Sequence, residues 1–110
     1  VRKGDFRKVF EQGSKFPSRH LVIYAMANGL AVSRLGLAVS RKIGSAVVRN
    51  RIRRRLREAM KMELKEHPLR CDFVIVARNA SAEADFSNLR KCIHRVLSGL
   101  VNENDLDLAD

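Results

Sequence analysis

The sequence predicts an α+β fold in one domain, its elements in the order helix, two or three strands, helix, strand, helix. Three observations predict it. The chain has 110 residues, enough for one hydrophobic core and little more. Its apolar side chains recur with the period of a helix in three segments and with the period of a strand in others. No repeat and no linker-like stretch interrupts that succession.

Residues 5–12, DFRKVFEQ, read as a short helix: Phe6, Val9 and Phe10 share one face at i, i+3 and i+4, and Gly13 closes it. Gly13-Ser14 and Pro17-Ser18 mark turns or a short edge strand. Residues 20–27, HLVIYAMA, alternate as a strand, with Leu21, Ile23 and Ala25 on one face and Val22, Tyr24 and Met26 on the other. Asn28-Gly29 signals a turn. Residues 34–41 form the next strand, large on one face (Leu35, Leu37, Val39) and small on the other (Gly36, Ala38, Ser40). The small face leaves room for something to approach the sheet. A long helix then spans about 46–66, stopped by Pro68. Residues 71–78, CDFVIVAR, are almost continuously apolar, as in a central strand, and 79–84 read as a polar loop. Asp85 or Ser87 caps a last helix that buries Leu89, Ile93, Val96 and Leu97 and is expected to stop at Gly99. The folded domain is thus expected over 1–101, with an acidic, frayed tail at 102–110.

Charge is the unusual property. Lys and Arg number 22 against 12 Asp and Glu, a formal +10, which predicts a polyanionic partner such as nucleic acid or an anionic membrane. The excess is local. Residues 1–70 hold 18 basic and 5 acidic side chains, residues 71–110 hold 4 and 7, and from Arg41 to Arg57 there are eight basic residues and no acidic one. No apolar run approaches the ~20 residues that span a bilayer, and no signal-peptide pattern opens the chain. Cys71 and Cys92 lack CxxC spacing and read as buried thiols in a reducing compartment, with a disulfide left open. His20, His67 and His94 stand singly, so each reads as a surface or half-buried imidazole and no zinc site is expected.

At 100° per residue, Val48, Ile52, Leu56 and Ala59 of the long helix form one apolar stripe. Opposite lie Asn50, Arg53, Arg54, Arg57 and Lys61; Asn50, Arg54, Arg57 and Lys61 make a straight row, flanked by Arg51 and Arg55 on one side and Arg49 on the other. A solvated face interleaves acidic with basic residues, as Lys61, Glu63, Lys65 and Glu66 begin to do, whereas like charges at i, i+4 repel. Arginine rather than lysine suits planar, bidentate contact with phosphates and base edges. A site for RNA or DNA therefore outweighs a merely solvated face. Arg41, Lys42 and the Gly44-Ser45 turn lead into the helix N-terminus, whose free N–H groups suit a phosphate.

The stretch KIGSAVVRNRIRRRLRE at 42–58 resembles the signature of the bacterial ribonuclease P protein family, with Arg-Asn-Arg at 49–51. DFRKVF, SRHLVIY, RLGLAVSRKIG and CDFVIVAR extend the resemblance over about residues 2–98. It implies an α/β sandwich, a four-stranded sheet with three helices in the order α-β-β-β-α-β-α, with a left-handed βαβ crossover made by the arginine-rich helix. It implies as partners the catalytic RNA subunit and the 5′ leader of precursor tRNA, removed endonucleolytically by the RNA with Mg²⁺. No catalytic residue and no protein-bound metal or cofactor is implied, and the location is cytoplasmic. Carried over, Arg49, Asn50, Arg51, Arg54 and Arg57 contact the catalytic RNA, with Lys42, Arg53 and Lys61 beside them. Phe6, Phe10 and Tyr24, with Arg19 nearby, match the aromatic and basic positions of a leader-binding cleft floored by Gly36, Ala38 and Ser40. From sequence alone Phe6 and Phe10 read as core; the resemblance makes them a cleft wall. Ser45 stands where many members have Asn, Arg2 and Lys3 are all that precede the first helix by way of basic residues, and the acidic tail matches nothing in the family.

Two other classes compete. A metal-dependent nuclease acting alone needs a carboxylate or histidine cluster, and Asp5, Glu11, Asp72, Glu83 and Asp85 show no such spacing. A ribosomal or DNA-binding protein with a basic helix in a groove shares the charge pattern but leaves the aromatic helix and the small strand face unexplained.

Overall fold

A computed structural model of the chain describes residues 3–103; most of the expected acidic tail, 104–110, lies outside the described residues. The elements are α1 (Lys3–Gln12), β1 (Ser14–Pro17), β2 (Leu21–Ala27), β3 (Arg34–Ala38), α2 (Ala46–Glu66), β4 (Cys71–Ala77) and α3 (Phe86–Glu103), with 3-10 turns at Arg41–Ile43 and Asn79–Ala82. The segment after Gly13 is therefore a strand. The four strands form one sheet in the order β1-β2-β4-β3. β1 pairs with β2 and β2 with β4 antiparallel, while β3 and β4 run parallel, so α2 is the crossover between them. Pro17, which cannot donate to a ladder, sits on the edge strand β1.

The two-residue period of the strands divides the molecule into layers. Leu21, Ile23 and Ala25 of β2 and Cys71, Phe73, Ile75 and Ala77 of β4 are buried with Ile52, Leu56, Ala59 and Met60 of α2 and Leu89, Ile93, Leu97 and Leu100 of α3. This is the main core. On the other face Val22, Tyr24 and Met26 stay half-exposed, and α1 lies against β2 and β4 with Val9 fully buried. β4, covered on both sides, is buried along nearly its whole length.

Beyond shifts of one or two residues at element ends, three boundaries differ from the sequence reading. α3 runs through Gly99 to Glu103. A helical glycine costs about 1 kcal/mol, but burying Leu100 beyond it returns roughly 1.5–3 kcal/mol, so the helix continues. β3 stops at Ala38, and Ser40 instead caps the first 3-10 turn, its hydroxyl accepting from the Lys42 N–H at 3.2 Å. Ser40 is thus off the sheet rather than part of its small face. The polar loop after β4 opens with the second 3-10 turn. Asp85 does cap α3, its carboxylate accepting from the Asn88 N–H at 2.8 Å.

Candidate nucleic-acid interface

α2 starts where Ser45 supplies an N-cap, its hydroxyl accepting from the Val48 N–H at 3.3 Å. Burial of Ile52, Leu56, Ala59 and Met60 then fixes the helix rotation, and the opposite side must face water. Asn50, Arg54, Arg57 and Lys61 are all exposed, as is Lys42 in the preceding turn. Arg49, Arg51, Arg53 and Arg55 are half-buried along the flanks. Arg53 Nη1 donates to Asn50 Oδ1 at 3.0 Å, which orients the Asn50 amide along the row.

The flanking arginines also have a structural role that sequence reasoning missed. Arg51 Nη2 donates to the Ala82 carbonyl at 3.4 Å and Arg55 Nη1 to the Ala84 carbonyl at 3.0 Å. Being i and i+4, the two tie one side of α2 to the segment that leads into α3. Arg49 Nε and Arg51 Nε are buried without a hydrogen-bond partner. Among the described residues no arginine from Arg49 to Arg57 forms an ion pair. The positive charge of the row is therefore not offset by a protein carboxylate among the described residues.

The α1 face of the sheet carries the aromatic residues. The Phe10 ring, 41% exposed, meets Tyr24 edge to face at a centroid distance of 4.7 Å. Lys15, opposite Tyr24 in the β1–β2 ladder, places its ammonium 5.9 Å from the Tyr24 ring centre. Lys15 was legible only once β1 was known to be a strand in this register. Phe6 is half-buried and lies directly over Gly36: a Cβ there would stand 1.6 Å from Phe6 Cε1. The small face of β3 therefore does admit an approaching group, and at Gly36 that group is the protein's own ring. Ala38 is exposed farther along β3, and Arg19 is exposed in the β1–β2 turn.

One carboxylate lies on this face. Asp72 accepts from Arg34 Nε at 2.8 Å, from Arg34 Nη2 at 2.6 Å and from Asn28 Nδ2 at 2.9 Å. The Arg34 hydrogen bond is the strongest influence on Asp72 and, helped by Asn28, holds its carboxyl below the ordinary value against the opposing pull of burial. The Arg34 guanidinium thus offsets the negative charge of Asp72 on this face. Among the described residues no helix is long and apolar enough to cross a membrane.

Comparison with known proteins agrees with this fold. The family model for Ribonuclease P matches residues 1–101. The ribonuclease P protein component of Clostridioides difficile (strain 630) is 37% identical over 108 residues, covering 97% of this chain and 91% of that protein. The counterpart in Caldanaerobacter subterraneus subsp. tengcongensis is 42% identical over 93 residues, covering 84% and 80%. Among solved structures, the RNase P protein of Thermotoga maritima superposes with a TM-score of 0.81 at 30% identity, over 91% of this chain and 96% of that one. A Staphylococcus aureus RNase P protein mutant, titled as defective in mRNA degradation activity, gives 0.80 at 32% identity over 89% and 83%.

Proposed function

The chain belongs to the ribonuclease P protein family, and from that premise we propose that α2 binds the catalytic RNA while the aromatic face binds the 5′ leader of precursor tRNA. Family membership makes it the protein component of a ribonucleoprotein endoribonuclease of tRNA processing. The observation that carries the finer reading is the exposed, unpaired row on α2.

In this reading Arg54, Arg57 and Lys61, with Lys42 before the helix, meet phosphates of the catalytic RNA. The Asn50 amide and the planar guanidinia of Arg49, Arg51 and Arg53 fix the register. Phosphate contacts position the subunit without demanding a base sequence. The leader lies along the opposite side of the sheet, where its unpaired bases stack on Phe10 and Tyr24 and its backbone passes Lys15 and Arg19. Stacking on rings is indifferent to base identity, as a subunit serving many precursor tRNAs requires. Phe6 seats this surface from below, over Gly36, with Ala38 as open floor beside it. Chemistry belongs to the RNA and its Mg²⁺, in the cytoplasm, and no side chain of this protein takes a catalytic role.

The mRNA degradation activity named for the S. aureus protein raises one second reading, in which this protein cleaves RNA by itself. The described residues offer it little: the only grouping of histidines and carboxylates, around Glu63, is built on a buried carboxylate held by Arg90. A single assay decides. Precursor tRNA is incubated at low Mg²⁺ with the protein, with the cognate RNA subunit, and with both. The proposal expects no cleavage by protein alone and strong stimulation of the RNA by the protein. Cleavage by the protein alone supports the second reading, and absence of stimulation removes the first.

A further inference from the structure

The sequence reading placed Glu63 with Lys61, Lys65 and Glu66 on a solvated face, and treated the three histidines as isolated. The structure corrects the first and brings His67 and His94 together, while His20 stays apart from them. Glu63 falls on the apolar stripe, seven residues after Leu56 and four after Ala59, and is 1% exposed. Around it, in the seam between α2 and α3, stand Glu66, His67, Arg90 and His94. His94 Nδ1 lies 2.8 Å from Glu63 Oε1, and His67 Nδ1 lies 3.5 Å from that same oxygen. The two imidazole centroids are 5.1 Å apart.

We propose that Glu63, Glu66, His67 and His94 bind one zinc-like divalent transition-metal ion that clamps α2 to α3. Each of the four residues offers one donor atom, and these atoms lie within 4.8 Å of one another. A tetrahedral zinc ion with bonds of about 2.0–2.1 Å spaces its ligands roughly 3.3 Å apart, so small side-chain rotations close the shell. Glu63 and Glu66 sit at i and i+3 of α2, His67 follows at i+4 as its C-cap residue, and His94 answers from α3. A second observation points the same way: His67 Nδ1 is buried and makes no hydrogen bond, its nearest partner being Glu63 Oε1 at 3.5 Å, a long contact that a metal bond would replace.

Arg90 fits as the outer support of such a site. Its Nε donates to Glu63 Oε2 at 2.7 Å and its Nη2 to Glu66 Oε1 at 3.2 Å, so Arg90 takes up one oxygen of each carboxylate and leaves the other for a ligand. Ligating carboxylates are characteristically held by such hydrogen bonds. One guanidinium against two carboxylates also leaves negative charge for a cation. Two imidazoles with carboxylates select zinc, cobalt, nickel or copper over magnesium and calcium, which prefer all-oxygen shells. Four protein ligands fill a tetrahedral ion, as in structural rather than catalytic sites. Phe86, Ser87 and Lys91 border an open surface cavity beside the cluster, so an ion reaches it from solvent.

The test uses untagged protein freed of metal by chelation. Titration with ZnCl₂ by calorimetry should show one ion per chain, and Co²⁺ should give the intense visible bands of a tetrahedral site. Zinc should raise the melting temperature by several degrees. The His94 side chain is 52% exposed, so His94→Ala should leave the metal-free fold intact while abolishing the Co²⁺ spectrum and the thermal shift. Glu66→Gln, at an exposed position, should weaken zinc at least about tenfold and serves if the histidine variant misfolds. His20→Ala, on β2's approach, should change nothing. No stoichiometric binding at micromolar zinc, or binding indifferent to both His94→Ala and Glu66→Gln, overturns the proposal.

Discussion

Replacing Gly36 by alanine probes how the aromatic face is built. The new Cβ would stand 1.6 Å from Cε1, 2.1 Å from Cζ and 2.8 Å from Cδ1 of Phe6. Carbon atoms in contact sit at about 3.5–4.0 Å, so the ring must retreat by roughly 2 Å. The clashing atoms are the end of one side chain, which puts the cost low in the ~1–3 kcal/mol range of overpacking. Removing a strand glycine restores about 0.5–1 kcal/mol. The net loss is then at most about 1 kcal/mol, or no more than roughly 4 °C in melting temperature. Urea unfolding of the wild type, Gly36→Ala, Phe6→Ala and the double variant isolates the cause. Gly36→Ala should cost stability while the Phe6 ring is present and be neutral or stabilising in the Phe6→Ala background. An equal cost in both backgrounds would refute the reasoning, because the clash would then lie elsewhere.

Two further outcomes are expected. Phe10→Ala should weaken binding of precursor tRNA by the roughly 1–3 kcal/mol of one stacked base while leaving affinity for leaderless tRNA and for the RNA subunit unchanged; equal losses on both substrates would return Phe10 to a packing role. The second concerns acid. The folded-state carboxyl of Asp72 is depressed by Arg34, so its contribution is complete above the ordinary carboxylate value, about pH 4, and is lost as pH falls through the lower folded value. Glu63 behaves likewise: burial, the largest influence, pushes it up, but hydrogen bonds and charge from Arg90 and His94 together bring it below its ordinary value. Asp72→Asn should therefore lower stability at neutral pH and flatten its fall below about pH 4, read by urea midpoints across pH; an unchanged pH profile would count against the Arg34 pairing.

Periodicity made the scaffold legible. The bounds of α2 and the exposed row of Asn50, Arg54, Arg57 and Lys61 follow from local chemistry and helical rotation, and the structure has them as expected. β2 and β4 were equally readable, one from alternation and the other from its continuous apolar run. What escaped depended on partners far along the chain. Leu100 carries α3 past Gly99 because a core waits for it. Arg51 and Arg55 read only as charges flanking the row, and the carbonyls of Ala82 and Ala84 to which they also donate come from far along the chain. Glu63 gave a signal that could have been used, an acid on the apolar stripe, but its partners Arg90 and His94 come from another helix. Gly36 was correctly read as leaving room, and only the tertiary fold shows Phe6 filling it.

The central claim is that the exposed row on α2 grips RNA through phosphates. It is tested most directly by the affinity of the protein for its cognate RNA subunit, measured across a salt series for wild type, Arg54→Ala and Arg57→Ala. Both side chains are exposed and make no ion pair among the described residues, so neither substitution should disturb the fold. Each should weaken binding and reduce the slope of log affinity against log salt by roughly 0.7–0.9 per lost phosphate contact. Unchanged affinity and slope in both variants would contradict the account.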